Sequence, residues 1–330
     1  SDGGVSCSGF LFSSKTATST SFSTLDNLVY RFTAIAEDAS HNQASTTISV
    51  EIQMIPIVIN EVGWSGTNAS TSDQWIELYN NSALPIDLAG YTLDSSVPSG
   101  IHASLSGVIN AHGYYLIEST ADTVISNISA DLTTSFGTGL SPVGEILSLY
   151  RASTRIDQTS SLCGILSQWC GGDLNQKFSM ERSDAHIAGI TASNWGTNNA
   201  IIHAGRDSGN NPIWGTPKGK NSIQYALRSG TINSDAVFTS AESPYIITEN
   251  LTVASGKTLT IQAGTVLKFS GLYSLFVDGA LQFNGTSVDP IVITSIRDNA
   301  YGGDLNGNAS SSIPAARDWN AIEFRSGSSS

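Results

Sequence analysis

Three carboxylates, Glu61, Asp73 and Glu77, fall within the stretch INEVGWSGTNASTSDQWIELYN, together with Trp64 and Trp75. A pair of carboxylates can run acid–base chemistry when burial raises the pKa of one of them. Several convergent oxygens can instead hold Ca2+. The residues a catalytic pair needs beside it, such as a His within reach, are not evident, so no catalytic residue is assigned. The simpler reading is structural: Glu61 and Glu77 tie loops to strand backbones or sit on a solvated face. Trp64 lies beside a Gly-Ser loop and is the exposed candidate for stacking on a sugar or base, although packing is the commoner role of an aromatic. Trp75 alternates within a strand and reads as packing.

A second metal candidate is RDNAYGGDLNGNASSS, where Asp298, Asp304, Asn306 and Asn308 offer oxygen ligands. Asp-x-Asn-x-Asn is calcium-like spacing, but the closing bidentate Glu is missing. Acidic, Asn-rich loops are also good turn formers. Cys163 and Cys170, in LCGILSQWCGG, are close enough to form a disulfide, with free thiols as the alternative. No nearby Cys or His completes a four-ligand metal set. Cys7 has no obvious partner. The histidines His41, His102, His112, His186 and His203 are scattered through loop-like contexts and give no ligand spacing, so each reads as a solvated loop residue. SGKTLT is not a phosphate loop: Leu251 stands where the first glycine belongs, and Lys257 lies between strands. Nucleophile-elbow and zincin motifs are absent.

The composition narrows the field. Of 330 residues only 13% are charged while 40% are hydrophobic, and the net charge is −13. Low charge with a Ser/Thr/Asn/Gly-rich surface suits β-rich extracellular proteins. An acidic surface repels phosphate backbones, so a nucleic-acid partner is not expected. No apolar run reaches membrane-spanning length, so no membrane insertion is expected in this segment. The chain opens at SDGGVSCSG without an initiator Met and reads as an internal fragment.

The elements that must position these residues are strands. LVYRFTAIAED and STTISVEIQM alternate around a turn that contains Asp38 and His41, which predicts a hairpin within residues 1–54. Over residues 55–224 strands recur with no sustained helical period, which predicts a β-sandwich. In DQWIELYN, Ile76 and Leu78 share one face, and Trp75, Glu77 and Tyr79 the other. From 228 to 330, apolar dyads recur with glycines between them: Leu251/Val253, Leu259/Ile261, Leu267/Phe269, Leu275/Val277, Leu281/Phe283 and Ile291/Ile293. Every third dyad is related by a similar step, with Leu251 opposite Leu275, Leu259 opposite Leu281 and Leu267 opposite Ile291. Three short strands per turn is what a parallel β-helix needs. The coils end soon after Ile322 and Phe324, so further coils or a cap are expected in a parent protein.

Some of these segments resemble known families. The first hairpin is similar to the closing strands of fibronectin type III and bacterial immunoglobulin-like domains. IVINEVGW, DQWIELYN, IDLAGYTL, GYYLIE, GEILSLY, SMER, NW and GTPKGKN occur in the order seen in bacterial lamin tail domains, over most of residues 57–221. That resemblance implies an immunoglobulin-like sandwich without a conserved catalytic machine. Gln74 departs from the family, which usually has Glu before WIEL. The dyad region resembles the opening coils of right-handed β-helix proteins on bacterial surfaces, with DWNAIEF as the strand after a loop insertion. The expectation is an all-β, non-catalytic structural or adhesive segment of a large exported or cell-surface protein, with a carbohydrate or cell-surface polymer as partner and no cofactor beyond calcium. One alternative is a fragment of a polysaccharide lyase or glycosidase whose site lies on later coils, with Lys268 and Arg297 as the basic residues near these coils. The other is a nucleic-acid-binding accessory module.

Overall fold

The computed structural model describes residues 29–37, 43–51, 55–160, 163, 168–308 and 312–329. Cys7, Asp38 and His41 lie outside the described residues. Val29–Glu37 and Gln43–Glu51 pair antiparallel along their whole length, the hairpin that the alternating sequences predict.

The next region is built on two sheets. The larger runs Leu132–Thr134, Tyr114–Ser119, Trp75–Asn80, Ile57–Gly63, Met180–Arg182, Trp195–Thr197. The smaller runs Thr154–Gln158, Leu147–Arg151, Tyr91–Ser95, His102–Ser104. Between them lies one apolar core, in which Ile57, Ile59, Val62, Ile76 and Leu78 meet Tyr91, Leu93, Leu147 and Leu149. Facing sheets bury alternate residues of each strand, the arrangement that period-two patterning specifies. The larger sheet is covered on its other face as well. Trp75 and Leu116 pack there against Val124, Ile125 and Ile213, which belong to covering segments. The central strand Ile57–Gly63 is therefore buried at every position. Its Gly63 is required by packing, since a Cβ there would lie 2.1 Å from the indole nitrogen of Trp75.

The last region is a parallel β-solenoid of about three turns. Leu251 stacks on Leu275 and then Ile322, and Val253 on Val277 and then Phe324. Leu259 stacks on Leu281 and Ile261 on Phe283. Coil-to-coil stacking of inward dyads gives a continuous core of Tyr245, Ile247, Leu259, Leu267, Phe269 and their neighbours. One expected register is corrected. Leu267 lies opposite Ile293, and Phe269 opposite Ser295, so Ile291 is not the partner of Leu267. The exposed corner from Asn284 to Pro290 takes up two more residues than even spacing supplies, and Val292–Ser295 enters the sheet later.

Sandwich and solenoid are joined by more than the chain that links them. After Ser295 the chain leaves the coil, and it returns at Ile322–Phe324. Within that excursion Ile296 and Leu305 pack with Ile246 of the solenoid and Ile202 of the sandwich region. The His203 N–H donates to the Leu305 carbonyl at 3.3 Å, and His203 forms a parallel bridge with Asn306.

Candidate functional site

The strongest convergence of reactive side chains is a ladder of three glutamates. Glu61 on the central strand is directly opposite Glu77 on one neighbour and Glu181 on the other. All three point to the outer face of the larger sheet and are fully buried there. A bulge at Asn60 sets this phase. The register shifts between Ile59 and Glu61, which turns Glu61 outward while Ile59 stays in the core. Asn60 itself reaches both Glu77 Oε1 (2.9 Å) and Asn221 Oδ1 (3.0 Å).

The cover over the ladder is the segment from Ile213 to Gln224, which continues into the first solenoid strand, Ala226–Ile232. Gly215 must lack a side chain, because a Cβ there would come within 2.8 Å of Glu61 Oε1 and 2.6 Å of the Trp75 ring. Thr216 donates its N–H to Glu61 Oε1 and its hydroxyl to Glu61 Oε2, both at 2.8 Å, and Ser179 Oγ donates to Oε1 at 2.6 Å. The Lys218 N–H donates to Glu77 Oε2. Glu181 accepts from Asn198 Nδ2 (2.7 Å), Ser222 Oγ (2.6 Å) and the Ile223 N–H (3.0 Å).

Burial dominates the electrostatics. Loss of water, reinforced by the Glu181 and Glu77 carboxylates, holds Glu61 well above the usual carboxylate range. Burial raises Glu181 as well, and it pushes Glu77 up to about 8 against the pull of its hydrogen bonds. Carboxyl groups in this state have the pKa of general acids but not the access. Their oxygens are engaged by the protein's own donors. A cavity beside the ladder, lined by Trp75, Lys177, Ser179 and Trp214, has a volume of about 10 Å3, room for about one water.

Of the residues read from sequence, Glu61 and Glu77 do tie a loop to the sheet, whereas Asp73 is apart and accepts from Thr67 Oγ1 (3.0 Å). Trp64 is corrected: it is not exposed for stacking. It is 6% exposed, donates Nε1–H to the Gly171 carbonyl (2.9 Å) and stacks on Trp169 with ring centroids 6.0 Å apart. Cys163 and Cys170 are joined in a disulfide with Cα atoms 4.9 Å apart. His203 is also corrected: it is no solvated loop residue but packs on Trp214, centroids 4.8 Å apart, and burial lowers its pKa.

In the Asp298–Asn308 loop the two carboxylates share an ammonium supplied by the chain. Lys268 is fully buried, donates to the Gly303 carbonyl (2.8 Å) and feels the charges of Asp298 and Asp304. Burial lowers it to about 8 despite them. Asp298 also accepts from Thr294 Oγ1 (2.8 Å), and Asp304 Oδ1 accepts the N–H groups of Asn306 (3.2 Å) and Asn308 (3.4 Å). The side-chain amides of Asn306 and Asn308 both reach Ser312 Oγ. Among the described residues no three His, Cys, Asp or Glu side chains are grouped so as to hold a metal ion. Nor is any helix among them long and apolar enough to cross a membrane.

Sequence reasoning missed Glu181, the buried pair Arg182–Asp157 (2.5 Å) and the burial of Lys268. The order of SMER before GTPKGKN was the available signal for Glu181, since those two segments close on each other.

The comparisons with known proteins agree with this architecture. Residues 54–161 match the Lamin Tail Domain family, and residues 230–310 match the pectate-lyase-like β-helix domain family. The chain therefore carries a lamin tail domain followed by a pectate-lyase-like β-helix. It is similar to the fruit-fly (Drosophila melanogaster) protein named Protein bark beetle, at 35% identity over 97 residues. That match covers 29% of this chain but spans only 3% of the length of the relative. No solved structure matches the chain.

Proposed function

We propose that this chain is a non-catalytic scaffold segment of a larger exported or cell-surface protein, which holds its solenoid at a fixed angle to the sandwich for adhesion to a carbohydrate or other surface polymer. The joint between the two regions carries this reading. Ile202, Ile246, Ile296 and Leu305 form one shared apolar cluster, fastened by the His203–Leu305 backbone bond. A shared core of this kind supports relative rigidity. The glutamate ladder, the densest set of titratable groups described, is sealed and spent on holding a loop. The disulfide supports an oxidising compartment. Similarity to a small part of a far longer protein supports a modular role.

The match to a pectate-lyase-like β-helix favours a second reading, a fragment of a polysaccharide-cleaving enzyme. Against it, Lys268 is buried and Arg297 is paired with Asp318 (3.2 Å), which leaves neither as a free basic group for an acidic sugar. Small-angle scattering of the chain and of Leu305→Asp, with a glycan array assayed for binding and for cleavage, separates these readings. The scaffold reading expects one compact inter-domain geometry, loosened by the substitution, and binding without turnover. Turnover of any polymer by the intact chain would overthrow it, as would scattering unchanged by Leu305→Asp.

A further inference from the structure

The Thr216 hydroxyl has one proton and faces three acceptors: Glu61 Oε2 at 2.8 Å, Asn221 Oδ1 at 3.3 Å and Glu181 Oε1 at 3.5 Å. It can donate to one of them at a time. Asn221 Oδ1 has its own donor in Asn60 Nδ2. The Glu61 and Glu181 carboxyl groups therefore converge on a hydroxyl that can satisfy only one of them.

Among the described residues no Lys or Arg forms an ion pair with Glu61 or Glu181. The Lys218 ammonium turns away to Asp131 (3.0 Å), although its charge is felt at Glu77. Arg182, next to Glu181 in the chain, points to the opposite face of the sheet and spends its guanidinium on Asp157 and the Ile59 carbonyl. The other titratable groups that bear on the ladder are Asp131, Tyr114 and Tyr225, and the Lys220 ammonium in the same cover sits over the Tyr225 ring, 4.8 Å from its centroid. Two adjacent carboxylates taken out of water cannot both remain ionised without a partner.

We propose that Glu61 and Glu181 hold a proton between them, and that this proton latches the 213–224 segment, the link into the solenoid, onto the sandwich. With the proton in place one carboxyl donates while the other accepts, and Thr216 and Ser222 close over both. Its loss leaves two neighbouring buried anions, and the link lifts to admit water. The direction of the shifts at Glu61 and Glu181 agrees, since both carboxyls favour the protonated form in the folded chain. The inference does not depend on whether the chain is a scaffold or part of an enzyme.

Backbone hydrogen exchange of the whole chain at pH 5 and pH 9, corrected for the intrinsic pH dependence of exchange, tests it. The N–H groups of Thr216 and Ile223 report the latch, because they donate to Glu61 and Glu181. Leu259 and Ile261, deep in the solenoid, serve as controls. The expected result is a loss of protection of about tenfold or more at the two latch amides, equivalent to about 1.4 kcal/mol, with the controls unchanged. Glu181→Gln carries its own donor and should keep those amides protected at pH 9. If that variant does not fold, infrared difference spectra of the Glu77→Gln, Glu118→Gln chain, which removes the carboxyls raised to about 8 and about 7, should still show the carbonyl stretch of a protonated buried acid at neutral pH. Equal protection at both pH values, or the absence of a protonated acid at neutral pH, overturns the proposal.

Discussion

Gln74 and Leu140 grip each other by two hydrogen bonds. Gln74 Nε2 donates to the Leu140 carbonyl at 3.0 Å, and the Leu140 N–H donates to Gln74 Oε1 at 2.7 Å. The same Nε2 also donates to the Trp64 carbonyl at 2.8 Å. The residue that breaks the family pattern is thus a buried clamp that needs an amide, since a carboxylate has no N–H to offer two carbonyls. Gln74→Glu should lower stability by about 1–3 kcal/mol, the cost of stranding buried partners. Urea melts of both proteins at neutral pH check this, and equal midpoints would show that the clamp is dispensable.

Arg182 and Asp157 form an ion pair with side chains 0% and 2% exposed. Arg182 also donates to the carbonyls of Ile59 and Ile187. Arg182→Met would leave Asp157 charged, buried and short of its partner, at a cost of about 3–5 kcal/mol. The double substitution with Asp157→Asn should recover part of that loss. A double variant no more stable than Arg182→Met would locate the cost in packing and not in the stranded charge.

Glu77 and Glu118 give the fold a pH dependence of definite sign. Burial raises Glu77 to about 8 and Glu118 to about 7, while both start from an unfolded value of 4.5. The folded chain then binds more protons than the unfolded chain between those limits. Stability should be full below about pH 4.5 for these groups and fall as pH rises through 7 and 8. A loss of about 1–3 kcal/mol from pH 5 to pH 8 is expected in thermal melts. Glu118→Gln should flatten the lower part of the curve, and a profile that rises over this range would contradict the assignment.

The Cys163–Cys170 bridge closes a loop with a sequence separation of 7. Reduction should cost no more than about 2–3 kcal/mol, because short loops carry little closure entropy. Trp169, next to the bridge, stacks on Trp64, so tryptophan emission should shift on reduction before the coils unfold. Unchanged emission after complete reduction would mean that the stack stands without the bridge.

Calcium is the remaining ligand to test. Asp298 and Asp304 face the Lys268 ammonium, so millimolar calcium should leave the melting temperature unchanged in the intact chain. Lys268→Met removes that ammonium, and the variant should then gain stability from calcium that EDTA reverses. A calcium-dependent rise in the intact chain would instead establish Asp298, Asp304, Asn306 and Asn308 as a site that tolerates the lysine.

Much of the fold was legible because strands write their faces in a period of two. Trp75 and Glu77 were assigned to one face and Ile76 and Leu78 to the other, and the sheet keeps that division. Two of the three coil registers followed from dyad spacing. The third failed because spacing cannot distinguish residues spent in a corner from residues spent in a strand, and Leu267 met Ile293. Trp64 was misread because its sequence neighbours, Gly63 and Ser65, look like an open loop, while the ring that covers it belongs to Trp169. Glu181 escaped notice for the same reason: its partners at Asn198 and Ser222 come from other segments, and no local pattern announces them.

The joint at Leu305 also decides how the chain would answer a pull. Force applied along the solenoid loads its parallel ladders, where several hydrogen bonds per coil resist together. Force that twists the solenoid against the sandwich falls on the cluster of Ile202, Ile246, Ile296 and Leu305, with Ile201, Tyr225 and Leu227 packed against it, on the backbone bond from His203 and on the 213–224 link. That contact would peel one group at a time. A joint fixed at rest would then, under a twisting load, act as a mechanical fuse that yields while both folds stay intact.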